Sequence, residues 1–169
     1  MNSYMEHNRF FSRLTLLFRN VIFTILHPGI VAGLIPFWII GGKMNNLFDG
    51  SVKTHQFTGI FLFITGFIIM TWCIINFAIK GKGTLSPLDP TKKLVISGLY
   101  RFSRNPMYIG VMFLLIGETV FFSSLSLCIY SFFVFVGFNI FIIAKEEPRL
   151  KKDFGVDYDD YRKKVRRWI

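Results

Sequence analysis

A chain of 169 residues has room for one ordinary domain. Its composition is 52% hydrophobic, with 21 phenylalanines and a mean hydropathy of +0.46, which is more apolar surface than one small soluble core can bury. The net charge of +10 does not point to nucleic acid, because Lys and Arg sit between apolar runs and near the chain ends, where lipid headgroups meet them.

In chain order, Phe10 to Arg19 reads as an interfacial helix, with Phe10, Phe11, Leu14, Leu17 and Phe18 on one face. Val21 to Ile40 is the first apolar run long enough to cross a bilayer core of about 30 Å at about 1.5 Å per residue. It lacks the small-residue cleavage site of a signal peptide. His27, Pro28 and Gly29 predict a kink in it, and Pro36 a second irregularity. Phe57 to Ile79 is a cleaner span. Met107 to Ile143 is too long for one crossing, and Ser123-Ser124-Leu125-Ser126 divides it into two antiparallel helices. A single tilted helix with a re-entrant segment is the competing layout. Cys73 and Cys128 lie inside these runs, which argues against a disulfide framework. Beyond the hairpin, Leu150, Phe154, Tyr158, Tyr161, Val165 and Trp168 recur every three or four residues. Gly155 is expected to break that stretch, with Asp157 capping its second half. Periodicity alone favours a membrane-surface anchor here.

The expected fold is all-α: an integral membrane protein of about four transmembrane helices, with a C-terminal helical hairpin and cytoplasmic amphipathic tail helices. As a single membrane domain it divides into an interfacial helix at 1–20, two spans within 21–79, a loop at 80–106, the hairpin at 107–143 and a tail at 144–169. Charge placement supplies an independent check. Arg9, Arg13 and Arg19 precede the first span, six Lys and Arg residues fill the 80–106 loop, and the tail is densely basic, whereas the opposite side holds only Lys43 and Lys53. Both termini are therefore expected on the cytoplasmic side.

Polar residues are informative in such a chain because hydrocarbon penalises them. Glu118 is the only acid within a span; a helix–helix hydrogen bond and a snorkelling position both fit it. Asn76 and Asn139 read as packing contacts. The loop ends in Tyr100-Arg101-Phe102-Ser103-Arg104-Asn105-Pro106-Met107-Tyr108 at a span entry. Pro106 can open the next helix, whose free N–H groups suit an anion. Tyr100 and Tyr108 could stack on a planar ring or serve as interfacial aromatics. Glu146 and Glu147 form an acidic pair in a basic zone, which fits salt bridging or recognition of ribose hydroxyls. The hairpin brings both segments to one membrane face.

Together these segments resemble the isoprenylcysteine carboxyl methyltransferase family and the related phospholipid methyltransferases. The resemblance rests on Lys93-Leu94-Val95-Ile96-Ser97-Gly98-Leu99-Tyr100, on Arg104-Asn105-Pro106-Met107-Tyr108-Ile109-Gly110, and on Glu146-Glu147, Leu150, Phe154-Gly155, Tyr158, Tyr161 and Val165. It covers about half the chain. It implies S-adenosylmethionine bound at the cytoplasmic side of the hairpin, with Leu94, Val95, Tyr100, Asn105, Pro106, Tyr108 and Glu146 at positions that contact the cofactor in the family, and makes 80–106 a cofactor-binding loop. The implied acceptor is a lipid or prenylated molecule drawn from the bilayer, with an isoprenylcysteine carboxylate first and an amine headgroup as the alternative. Two departures stand out. Asn105 replaces a frequent His, and Ile142 stands where the eukaryotic carboxyl methyltransferases carry an acceptor-binding Arg. Arg104 is the expected substitute for that cation. An NADPH-dependent sterol-type reductase and a small non-enzymatic transporter are the rival readings, and cofactor binding separates the three.

Overall fold

The computed structural model describes residues 26, 28–41, 53–80 and 94–169. Within them every regular element is a helix, and no strand occurs. The expected interfacial helix at 10–19 and residues 81–93 of the 80–106 loop lie outside the described residues. The main elements are α1 (Ile35–Ile40), α2 (Thr54–Lys80), α3 (Pro106–Phe122), α4 (Leu125–Phe141) and α5 (Glu147–Lys164), with a 3-10 turn at Gly98–Arg101.

Two prolines shape the helices that contain them. A helical proline clashes with the carbonyl four residues back and lacks an N–H, so the preceding turn must widen or break. A π-helical turn at Ile30–Leu34 precedes Pro36, with Ile35 N–H reaching Ile30 O, and Ala32 leaves helical geometry (φ −108°, ψ 18°). The break at Ala32 is the irregularity expected from Pro36; the kink expected at His27-Pro28-Gly29 reaches outside the described residues, and Gly29 itself is helical (φ −65°, ψ −36°). A second π-helical turn, Ile142–Glu146, precedes Pro148, with Glu147 N–H reaching Ile142 O. Through it α4 runs on into α5 without a loop.

Met107 to Ile143 forms two antiparallel helices, as the serines suggested. Ser123 takes the left-handed conformation (φ 46°, ψ 44°) that ends α3, and its amide bonds Val120 O at 3.3 Å. Each hairpin helix has 17 residues, about 25 Å of rise. The tightest packing joins α2 to α3, where Gly59 faces Gly117 and Gly66 faces Gly110. A Cβ on Gly66 would come within 2.6 Å of Gly110 O and 2.7 Å of Leu114 N. The two pairs are seven residues apart on both helices, so one glycine face runs along each and the backbones touch directly. Where lipid supplies no hydrophobic drive between helices, such dispersion contact is what holds them. Tyr130 on α4 donates to Val31 O at 2.9 Å and ties in the N-terminal helical segment.

Among the described residues, two helices are long and apolar enough to cross a membrane: Thr54–Asn76, and the apolar part of the helix running from Leu125 to Lys164. Only 17% of each apolar window is buried inside the protein, unlike a soluble core helix. Phe57, Phe61, Ile64 and Ile68 on α2 and Phe133, Val136 and Ile140 on α4 are exposed, and their spacing of three and four makes apolar stripes suited to lipid.

The tail corrects an expectation. Its apolar stripe is not a membrane-surface anchor: Tyr158, Tyr161 and Val165 are buried and pack with Leu94, Leu150 and Phe154. Gly155 does break α5, at φ 51° and ψ −120°, and that bend folds the last turns back onto the 94–105 segment. Both cysteines are free, Cys73 buried and Cys128 exposed.

Candidate active site

The start of α3 has no side-chain cap. Asn105 stands at its N-cap with φ −129° and ψ 50°, but makes no capping bond. Asn105 Nδ2 instead donates to Arg167 O at 3.0 Å, and its backbone N–H donates to Ser103 Oγ at 3.1 Å. Pro106 has no N–H to satisfy, so the donors that a cap would cover belong to the residues just after it. Uncapped amides with the positive end of the helix dipole attract an anion.

One turn on, Tyr108 donates its hydroxyl to Glu146 Oε2 at 2.9 Å across the hairpin. Its ring lies 4.7 Å from Phe138, centroid to centroid. Burial pushes the Glu146 carboxyl above its usual range, against the Tyr108 hydrogen bond and the charge of Arg149. Tyr100 is buried, and the Glu146 charge adds to burial in raising its phenol. Asn105, Pro106, Tyr108 and Glu146 therefore gather at one end of the hairpin, with Tyr100 within electrostatic reach.

Leu94 and Val95 divide between two apolar clusters. Val95 packs with Cys73 and Tyr100 beneath α3, while Leu94 packs with Tyr161 and Val165 of the tail. Tyr161 seals that junction by donating to Tyr100 O at 2.6 Å. A separate groove of about 690 Å³ opens outside Leu94, between Arg101 and the Asp157–Lys164 stretch. It does not include Asn105, Tyr108 or Glu146.

The two adjacent acids have different partners because neighbouring helical positions point about 100° apart. Glu146 meets Tyr108, whereas Glu147 takes two arginines. Arg104 Nη1 lies 3.1 Å from Glu147 Oε1 with both side chains about a tenth exposed, and Arg104 also donates to Tyr158 Oη at 3.1 Å. Arg167 forks onto the same carboxylate, Nε to Oε1 at 2.9 Å and Nη2 to Oε2 at 3.1 Å. Burial opposes ionisation of Glu147, but the Arg167 hydrogen bonds and the charges of Arg104, Arg167 and Arg162 outweigh it and hold the carboxyl below its usual range. Arg104, expected at an acceptor carboxylate, thus has its charge matched inside the protein. Ile142 is 1% exposed and fully packed.

Sequence reasoning passed over two residues here. Arg149 follows Glu146 by one turn, acts electrostatically on both Glu146 and Tyr108, and has a buried Nε without a hydrogen-bond partner. Its place three residues after Glu146, on the same helical face, was the available signal. Arg167 gave none, being one of a basic run. Glu118 lies at the far end of α3, and its Oε2 is buried without a hydrogen-bond partner. Asn139, expected to pack, accepts the Trp168 indole N–H at 3.1 Å. No cluster of three or more metal-ligating side chains occurs among the described residues.

No curated protein and no solved structure matches the chain. The family model described as phospholipid methyltransferase matches residues 54–157, from the first residue of α2 to the middle of α5, and so takes in both the open start of α3 and the Tyr108–Glu146 pair. A match over more than half the chain, centred on the segments that carried the sequence resemblance, makes this membrane-associated protein a member of the phospholipid methyltransferase family.

Proposed function

We propose that the chain is a multi-pass membrane enzyme that transfers a methyl group from S-adenosylmethionine to a lipid. The observation that carries this reading is the Tyr108–Glu146 hydrogen bond beside the uncapped start of α3. The donor set suits the cofactor: amides at a helix start for its carboxylate, a carboxylate for its ribose hydroxyls, and aromatic walls for its apolar parts. Asn105, Pro106, Tyr108 and Glu146 form that end, Tyr100 and Val95 pack beside Met107 next to it, and Leu94 stands apart in the tail cluster. S-adenosylmethionine supplies, when bound, a methyl group on a sulfonium leaving group. The chain then has to contribute alignment and exclusion of water, and no nucleophile of its own.

Of the two acceptor classes, an amine-bearing phospholipid headgroup fits better than an isoprenylcysteine carboxylate. A carboxylate needs a cation, yet Arg104 is paired with Glu147 and Ile142 is packed away. Arg149 would meet the acceptor's phosphodiester. In this reading Arg104 is a positioning residue. The charge pattern supports four crossings with both termini cytoplasmic, so that a lipid enters from the bilayer and the cofactor from water.

Calorimetric titration of the purified protein with S-adenosylhomocysteine tests the cofactor. Micromolar binding is expected, weakened about tenfold or more by Tyr108→Ala and by Glu146→Ala, as for loss of a charge-assisted hydrogen bond. Absence of binding by folded wild-type protein overturns the reading. Labelled methyl transfer into phosphatidylethanolamine vesicles rather than farnesylcysteine supports the amine acceptor, and the opposite preference rejects it.

A further inference from the structure

The family match ends at residue 157, yet the residues after α5 are fastened to the candidate site by a dense set of bonds. Val165 leaves the helix in extended conformation (φ −122°, ψ 129°), and the segment Val165–Ile169 lies across the loop that opens α3. Arg104 N–H donates to Arg166 O at 2.9 Å, and Ser103 Oγ donates to Arg167 O at 3.1 Å. Trp168 bonds Asn139 and lies 5.2 Å from the Phe135 ring, which ties the same segment to α4. The Arg167 fork on Glu147 is the charged member of the set, in the bidentate geometry that gives such pairs their strength.

One contact links this strap to the open helix start. Asparagine is among the best N-capping residues, and a free Asn105 side chain would cap α3 and cover the donors offered to an anion. Arg167 O holds the Asn105 amide away from them at 3.0 Å. We propose that Val165–Ile169 is a strap, latched by Arg167 on Glu147, that keeps Asn105 off the start of α3 and so holds the cofactor end of the hairpin open. Arg167 and Glu147 are then positioning residues for methyl transfer. The inference rests on the cofactor reading above.

The test uses the full chain in lipid nanodiscs, comparing wild type with Arg167→Ala and Arg167→Lys. Amide exchange at Arg104, whose N–H is covered by Arg166 O, reports strap docking without any cofactor. Exchange at Met107 and Tyr108 reports whether the helix start becomes capped. Arg167→Ala is expected to speed exchange at Arg104, slow it at Met107 and Tyr108, and weaken S-adenosylhomocysteine binding about tenfold, as for loss of one charge-assisted bidentate contact. Arg167→Lys, which keeps the charge and loses the fork, should recover part of both. A purely structural role predicts a lower melting temperature with unchanged affinity in the folded protein, and that result overturns the proposal. So does unchanged exchange at Met107 and Tyr108 once the strap is free. If wild type binds no S-adenosylhomocysteine, the cofactor reading falls, and the strap is judged on the exchange pattern alone.

Discussion

Glu147→Ala is expected to destabilise the protein by about 3–5 kcal/mol, the usual cost of stripping one partner from a buried ion pair. Arg104 is a tenth exposed and its Nε already has no hydrogen-bond partner, so removing the carboxylate strands a buried cation. Arg167 loses its fork in the same step, though at 28% exposed it can turn to water. The loss should be concentrated in the tail, with α2 and α3 unfolding later. It should also depend on pH. Its Arg167 hydrogen bonds and the charges of Arg104, Arg167 and Arg162 hold the folded-state Glu147 carboxyl below the usual carboxylate range, so its contribution is complete above that range and disappears as pH falls through the lower folded value. Thermal melts of wild type and variant at pH 7 should differ widely and converge in strong acid. Equal melting temperatures at pH 7 would mean that the pair adds nothing.

The second large effect lies in the membrane core. Gly66→Ala should cost about 2 kcal/mol or more, because overpacking against rigid neighbours outweighs the gain of about 1 kcal/mol in helix propensity. The added Cβ would meet backbone atoms, Gly110 O and Leu114 N, not flexible side-chain ends, so relief requires moving a whole helix. Gly66→Leu should prevent the α2–α3 pairing altogether. Gly137 is the control: a Cβ there meets nothing within 4 Å, and Gly137→Ala should be neutral or stabilising. Detergent melts of the three variants check the order. Similar behaviour of Gly66→Ala and Gly137→Ala would falsify direct backbone contact at this crossing.

Much of the architecture was legible because its causes are local. Apolar length marks a span, the serine run at Ser123–Ser126 marks a turn, and Gly155 marks a helix break, each through its own backbone or transfer preference. The candidate site was legible only as a resemblance, since Tyr108 and Glu146 are 38 positions apart and no spacing rule joins them.

Partner choice was not local. The stripe from Leu150 to Val165 is amphipathic whether lipid or protein covers it, and only the bend at Gly155 together with Leu94 and Tyr100 decided for protein. Arg104 read as a free cation because a sequence lists charges without their mates, whereas a buried charge must find one. Its mate, Glu147, is set apart from Glu146 by one step of helix, after a π-helical turn that Pro148 requires. By itself the sequence determined that the chain is helical, where the hairpin turns and that its longest helices are apolar, because propensity and hydrophobicity are properties of each residue. Which acid meets Tyr108, which is spent on Arg104 and Arg167, and why Asn105 leaves α3 uncapped were decided by the tertiary structure, because hydrogen bonds and ion pairs are properties of position.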